Sequence, residues 1–191
     1  MPFEIRKFKK EDFETLWRID QACFDPQLAY SRPELAFYMR RASAFTLVAQ
    51  GDHGDAGTNG SRNGNETHNN ETTHKESAAK SRASLRDGIL GFIVADRRRQ
   101  IGHIITIDVV EKARRLGVGS ALLTAAEEQL RQDGATVVEL ETAINNEAAI
   151  RFYKGKGYFV EKTVAGYYSG QLDALVMEKP LVEPRVTHDQ G

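Results

Sequence analysis

Two closely spaced glycines behind a pair of arginines are the residues of this chain best placed to do chemistry. The run Ile107-Asp108-Val109-Val110-Glu111-Lys112-Ala113-Arg114-Arg115-Leu116-Gly117-Val118-Gly119-Ser120 reads as a strand, a short basic turn and the start of a helix. Glycine at 117 and 119 removes side chains where backbone N–H groups must approach a ligand, and the first turn of a helix adds unpaired donors and the positive end of its dipole. Arg114 to Gly119 therefore read as a cradle for a pyrophosphate. A Walker loop needs Lys-Ser or Lys-Thr after its second glycine, where this chain has Ser120-Ala121, and a dinucleotide fingerprint needs a third glycine. The competing reading is a basic turn whose glycines serve geometry alone. Further on, Val138-Glu139-Leu140-Glu141-Thr142 alternates with a period of two, which sets both carboxylates on one strand face opposite Val138 and Leu140. In an interior strand such a pair is unusual unless it meets solvent or a cleft. Either carboxylate, in a cleft, is a candidate proton acceptor.

The elements that must position these groups follow from the same patterns. Residues 3–9 predict a first strand, 11–24 a helix opening near Asp12, and 32–42 a second helix with Pro33 in its first turn. Strands are expected at 44–49, 88–95 and 103–110, with the charged run Asp96-Arg97-Arg98-Arg99-Gln100 as a solvated hairpin tip. After the strand that carries Glu139 and Glu141, Asn146 is placed to cap a short helix. In that helix Ala149, Ile150 and Tyr153 fall on neighbouring faces, and Gly155 or Gly157 ends it.

Three segments, in order, carry a family resemblance. Arg114-x-x-Gly117-x-Gly119 matches the R/Q-x-x-G-x-G/A signature of the GNAT acetyltransferases, and Asn146-x-x-Ala149-x-x-x-Tyr153 resembles a second segment of that superfamily. The tail Gly166-Tyr167-Tyr168 followed by Asp173-Ala174-Leu175-Val176-Met177 is similar to the closing strands of the ribosomal-protein alanine N-acetyltransferases, the RimI type. The resemblance covers nearly the whole chain outside residues 51–87 and the last few. It implies one α/β (α+β) domain over 1–191, with a mixed, mostly antiparallel central sheet and helices on both faces. It also implies acetyl-CoA as co-substrate, seated on Ile107, Asp108, Val109, the 114–119 turn and Asn146. Tyr153 then matches the family's general acid. Glu141 matches the glutamate that serves as base in RimI-type enzymes, although Thr142 stands where the family has valine, and Glu139 competes for the role. Tyr30, Tyr167 and Tyr168 resemble the walls of a groove for a peptide N-terminus.

The acceptor follows from proton chemistry. At a pH of about 7.4 roughly a quarter of α-amines are neutral, against about a thousandth of lysine side chains, so one carboxylate base suits an N-terminal amine better. The implied partner is a protein or peptide N-terminus, in RimI relatives the N-terminal alanine of a small-subunit ribosomal protein. A GNAT enzyme acting on a small-molecule amine, or a non-catalytic acyl-CoA-binding module, are the alternatives.

Composition bounds these readings. A net charge of −1 on 191 residues gives no strong attraction to nucleic acid or membrane, and no run approaches membrane-spanning length. With no apolar leader after Met1, cytoplasmic residence is expected. Cys23, the one cysteine, lies in the apolar pattern Phe13, Leu16, Trp17 and reads as a packed core thiol. Residues 51–87 hold Leu85 as their only large apolar side chain and read as a disordered insert. Their His53, His68 and His74 are too irregularly spaced for a metal site, and none is expected. The N-x-S/T triplets at Asn59, Asn65 and Asn70 read as accidents of composition.

Overall fold

A computed structural model describes residues 2–26, 28–51 and 88–182. Seven strands form one sheet: β1 (Phe3–Lys7), β2 (Phe45–Gly51), β3 (Ile89–Arg98), β4 (Ile101–Val109), β5 (Val137–Ala143), β6 (Phe159–Tyr168) and β7 (Leu172–Pro180). Their spatial order is β1-β2-β3-β4-β5-β7-β6, and only β4 and β5 run parallel. Helices α1 (Phe13–Cys23) and α2 (Arg32–Met39) cover one face, where Leu16, Ile19 and Leu35 meet Val48, Phe92 and Val94. Helices α3 (Val118–Gln132) and α4 (Glu147–Lys154) cover the other, where Leu122, Leu123, Ala126 and Leu130 pack on Ile93, Ile104, Val138 and Leu140. The mixed sheet with helices on both faces is thus the architecture expected. The segment 51–87, read as a disordered insert, lies outside the described residues except at its first position: Gly51 ends β2 and pairs with Phe3.

Local chemistry accounts for most boundaries. Ser31 and Glu34 form a reciprocal capping box for α2, with Glu34 accepting from the Ser31 amide at 2.9 Å. Asp12, near which the helix was expected to open, directly precedes α1 and makes no side-chain cap to it. Its carboxylate takes two hydrogen bonds from the Arg6 guanidinium, at 2.7 and 2.9 Å, and one from the Lys9 amide. The charged run after Ala95 also differs from expectation. Strand β3 continues through Arg98, and Asp96 is fully buried, because the β3–β4 register sets it beside His103 beneath the α2 side of the sheet rather than at a solvated tip.

The sheet opens where its strand directions change. Pairing between β4 and β5 runs from Ile101↔Val137 to Ile104↔Leu140 and stops. Past that rung β4 stays on β3, with Ile107↔Ile93, Asp108↔Phe92 and Val109↔Gly91. Residues Glu141–Ala143 of β5 stay on β7. The two strands therefore diverge as a V whose arms end at Val109 and Ala143.

Candidate active site

The glycine turn closes the β4 arm of the V. Arg114 donates from Nε to the Val109 carbonyl at 3.1 Å and ties the turn to the strand end. Arg115 and Gly117 take positive φ, 61° and 87°, and α3 begins at Val118. Ala121 is the residue whose amide resumes helical bonding, donating to the Gly117 carbonyl at 2.9 Å. The amides of residues 115–120 find no acceptor among the described residues, and the first turn of α3 holds no acidic side chain. These are the donors and the dipole end that suit a phosphate. The two glycines differ in use. A Cβ on Gly117 would meet nothing within 4 Å, whereas one on Gly119 would sit in ordinary contact with Phe152 and Val109 at 3.6 Å. Gly117 alone thus faces open space. Val118 is buried in the core and offers its amide only, while the Leu116 side chain is exposed.

Asp108 and Tyr153 are both buried. The Asn146 side chain accepts from the Ala149 amide at 3.1 Å and caps α4, which carries Tyr153 into the core, 6% exposed and edge-on to Phe152 and Tyr158. Its hydroxyl has no hydrogen-bond partner among the described residues. Burial, then the charges of Asp108 and Tyr168, push its ionisation upward, so the phenol is protonated at neutral pH. Asp108 is itself buried, with Oδ2 accepting from the Thr106 hydroxyl at 3.1 Å and Oδ1 without a partner. Burial and the charge of Asp20 raise its pKa well above the usual carboxylate range. Asp20, on α1, is pushed up to about 6 by burial despite accepting from the Tyr30 amide at 2.9 Å. Cys23 lies here too. Its thiol points at the Val109 carbonyl at 3.5 Å, and burial pushes its pKa up to about 11, the behaviour of a packing thiol.

Glu141 stands on the opposite arm, at the first rung past the last β4–β5 pair. Its Oε2 lies 2.7 Å from Nε2 of His103. Burial alone would lower the His103 pKa, but the hydrogen bond and charge of Glu141, with Asp96 and Glu139, outweigh it and raise it. Glu139 shares the Glu141 face yet lies within the paired stretch, opposite Glu178. Neither His103 nor Asp96 was legible as a site residue. The one usable sign was a histidine on a strand next to the one bearing two glutamates, and only the register makes them neighbours.

Aromatic side chains ring the mouth. Tyr167 and Tyr168 pack edge to face at 4.9 Å, and Tyr30 and Tyr38 lie 5.2 Å apart. Burial and then the charges of Tyr38, Tyr167 and Tyr168 oppose ionisation of Tyr30, which places these rings from two elements around one space. Tyr38 was not anticipated. Tyr30 is turned inward, its hydroxyl donating to the Ile105 carbonyl at 3.4 Å, whereas Tyr167 is 47% exposed. The hairpin bends at Gly166, whose amide donates to Asp173 at 2.9 Å. A cavity of about 530 Å³, lined by Lys7, Met39, Arg97, Gln129 and Asp133 among others, lies at the far end of the sheet and includes none of these residues. Among the described residues no cluster of three potential metal ligands occurs, and no helix is long and apolar enough to cross a membrane.

Close strand approach holds the β4 arm in place. A Cβ on Gly91 would lie 2.4 Å from the Asp108 carbonyl oxygen, a backbone atom that cannot move without shifting β4. Gly91→Ala is expected to cost about 1–3 kcal/mol, the range for overpacking, read from the urea midpoint. It should also weaken coenzyme A binding, whereas an unchanged midpoint and affinity would show that β4 yields freely.

Comparison with known proteins agrees with this fold. An N-alpha-acetyltransferase of Sulfurisphaera tokodaii is 40% identical over 81 residues, covering 42% of this chain and 48% of that protein. The chain thus spans about half the length of the curated relatives it matches. Among solved structures, Ard1 from Thermoplasma volcanium superposes with a TM-score of 0.69 at 26% identity, over 96% of this chain and 100% of that one. The ribosomal-protein-S18-alanine N-acetyltransferase from Escherichia coli shares the fold, with a TM-score of 0.70 at 17% identity over 97% and 98%. A profile of the acetyltransferase (GNAT) family matches residues 58–158, and the chain belongs to that family.

Proposed function

We propose that this protein transfers the acetyl group of acetyl-CoA to the α-amine of a protein N-terminus. The observation that carries the reading is the parting of β4 from β5, with unpaired amides and a buried protonated phenol on one side and the Glu141 carboxylate on the other. The amides of 115–120 hold the pyrophosphate, and the free backbone edge of Ile107–Val109 receives the thioester. Glu141 takes a proton from the amine, the nitrogen attacks the thioester carbon, and the C–S bond breaks as Tyr153 donates its proton to the departing sulfur. Buried side chains and the tyrosine mouth keep water from the thioester.

Support for a protein N-terminus as acceptor comes from the N-alpha-acetyltransferase relatives and from the tyrosines around the mouth. The finer reading, a RimI-like enzyme acting on the N-terminal alanine of a ribosomal protein in the cytoplasm, rests on the tail tyrosines and the strand after them. Incubation with acetyl-CoA, a panel of N-terminal peptides, free lysine and polyamines tests both. Acetylation of peptide α-amines is expected, with alanine-initiated sequences preferred. Faster acetylation of polyamines would replace this reading by a small-molecule one, and binding without turnover would favour an acyl-CoA-binding module.

The base has its own test. An α-amine with a pKa of about 7.8 is mostly protonated below that pH and mostly neutral above it. Glu141→Gln should therefore reduce kcat/KM most at pH 6–7 and least near pH 9. A wild-type profile in Glu141→Gln together with an altered one in Glu139→Gln would move the role to Glu139.

A further inference from the structure

A buried carboxylate holds one wall of the mouth. Asp20, on α1, is fully buried. Its Oδ2 accepts from the Tyr30 amide at 2.9 Å and from Nε2 of Gln21 at 3.0 Å, while Oδ1 has no partner among the described residues. The same helix takes the other side of that loop residue: the Tyr30 carbonyl accepts from Nε2 of Gln21 at 2.8 Å and from Nε1 of Trp17 at 3.2 Å. From β4, the Ile105 carbonyl accepts from the Tyr30 hydroxyl at 3.4 Å. Loops usually leave such groups to water, yet here α1 and β4 satisfy the amide, the carbonyl and the hydroxyl of one loop residue. The charges that bear on Asp20 are themselves acidic. Glu34 acts from α2, and Asp108, a second buried carboxylate, from β4. A carboxylate buried beside acids costs stability, although an amide side chain could accept the same bond without charge.

We propose that Asp20 is a positioning residue for the acceptor: its carboxylate seats the Tyr30 backbone on α1 and so fixes the wall that Tyr30 and Tyr38 give to the mouth. This rests on a peptide N-terminus as the acceptor. A hydrogen bond to an ionised acceptor is roughly twice as strong as a neutral one, so the charged Asp20 grips the Tyr30 amide harder than an amide side chain could. Without that grip the wall is formed for a smaller fraction of the time, and affinity for the acceptor falls by that fraction. The cofactor seat should be spared, because the 114–119 turn leads into α3 on the opposite face of the sheet. Charge on Asp20 acts on stability and on binding with opposite signs. Burial lifts its pKa to about 6, above the value of about 3.9 expected unfolded. The folded state therefore binds this proton more tightly, and stability is lost as pH rises from about 4 to about 6. The hold on Tyr30 runs the other way, full above pH 6 and weaker below it.

The test uses the full chain. Peptide KM, kcat and acetyl-CoA affinity are measured at about pH 8, where Asp20 is ionised, and the Tyr30 amide is followed by ¹H–¹⁵N NMR across the acid range. In the wild type that amide resonance should titrate with a midpoint of about 6. Asp20→Ala should raise peptide KM by about tenfold or more, the worth of one hydrogen bond to a charged group, with kcat and acetyl-CoA affinity little changed. Asp20→Asn keeps an acceptor oxygen and loses the charge. Its Tyr30 amide should stop titrating and its peptide KM should rise about threefold, while its melting temperature at neutral pH equals or exceeds that of the wild type. A wild-type peptide KM in Asp20→Ala overturns the proposal, as does an equal loss of acetyl-CoA affinity, which marks a general loosening of the fold. Should Asp20→Ala not fold, Asp20→Asn carries the test: a lowered melting temperature with an unchanged KM would leave Asp20 a core group and nothing more. Failure of the acceptor reading is separable. An enzyme that acetylates polyamines and no peptide would refute that reading, and the Asp20 variants are then read on the polyamine KM beside the Tyr30 amide, where unmoved values overturn the positioning role as well.

Discussion

Tyr153→Phe is expected to lower turnover by about a hundred- to ten-thousand-fold, the range for one positioned proton-transfer group, with little change in acetyl-CoA affinity. The phenol is buried and its hydroxyl has no partner among the described residues, so its removal leaves no donor or acceptor unpaired. The ring contacts with Phe152 and Tyr158 survive, and the melting temperature should stay within a few degrees of wild type. Loss confined to kcat identifies an interaction made only in the transition state. A phenylalanine variant with wild-type kcat would remove Tyr153 from the chemistry and leave it a core residue.

Gly117→Val should abolish measurable coenzyme A binding by calorimetry. Two effects add. A branched side chain at φ 87° is strained by roughly 1–2 kcal/mol, which reshapes the turn and its amides. The new methyls also fill the open space that Gly117 leaves in front of those amides. Gly119→Ala is the internal control, because its Cβ would rest at 3.6 Å from Phe152 and Val109 without displacing either. It should bind coenzyme A nearly as the wild type does. Wild-type affinity in Gly117→Val would sink the cradle, and equal losses in both variants would show that the first turn of α3 matters only through packing.

Much of this was legible in the chain itself, for local reasons. The glycine turn, Pro33 in the first turn of α2, the Asn146 cap and the shared face of Glu139 and Glu141 depend on residues a few positions apart, where φ preference, capping and strand period act. The family resemblance added roles for Tyr153 and Glu141, and the strand order agrees with the fold it implied. Tertiary structure decided what local rules do not reach. Period-two alternation assigned Glu141 to a face, but only the β4–β5 register put it against His103 and past the last paired rung. The β3–β4 register set Asp96 beside His103 within a run of charges that reads as solvated, and Arg41, just past α2, lies over it. Gly119 and Gly117 look alike in sequence. Packing of α4 against one, and open space before the other, separated a glycine in side-chain contact from one that faces open space.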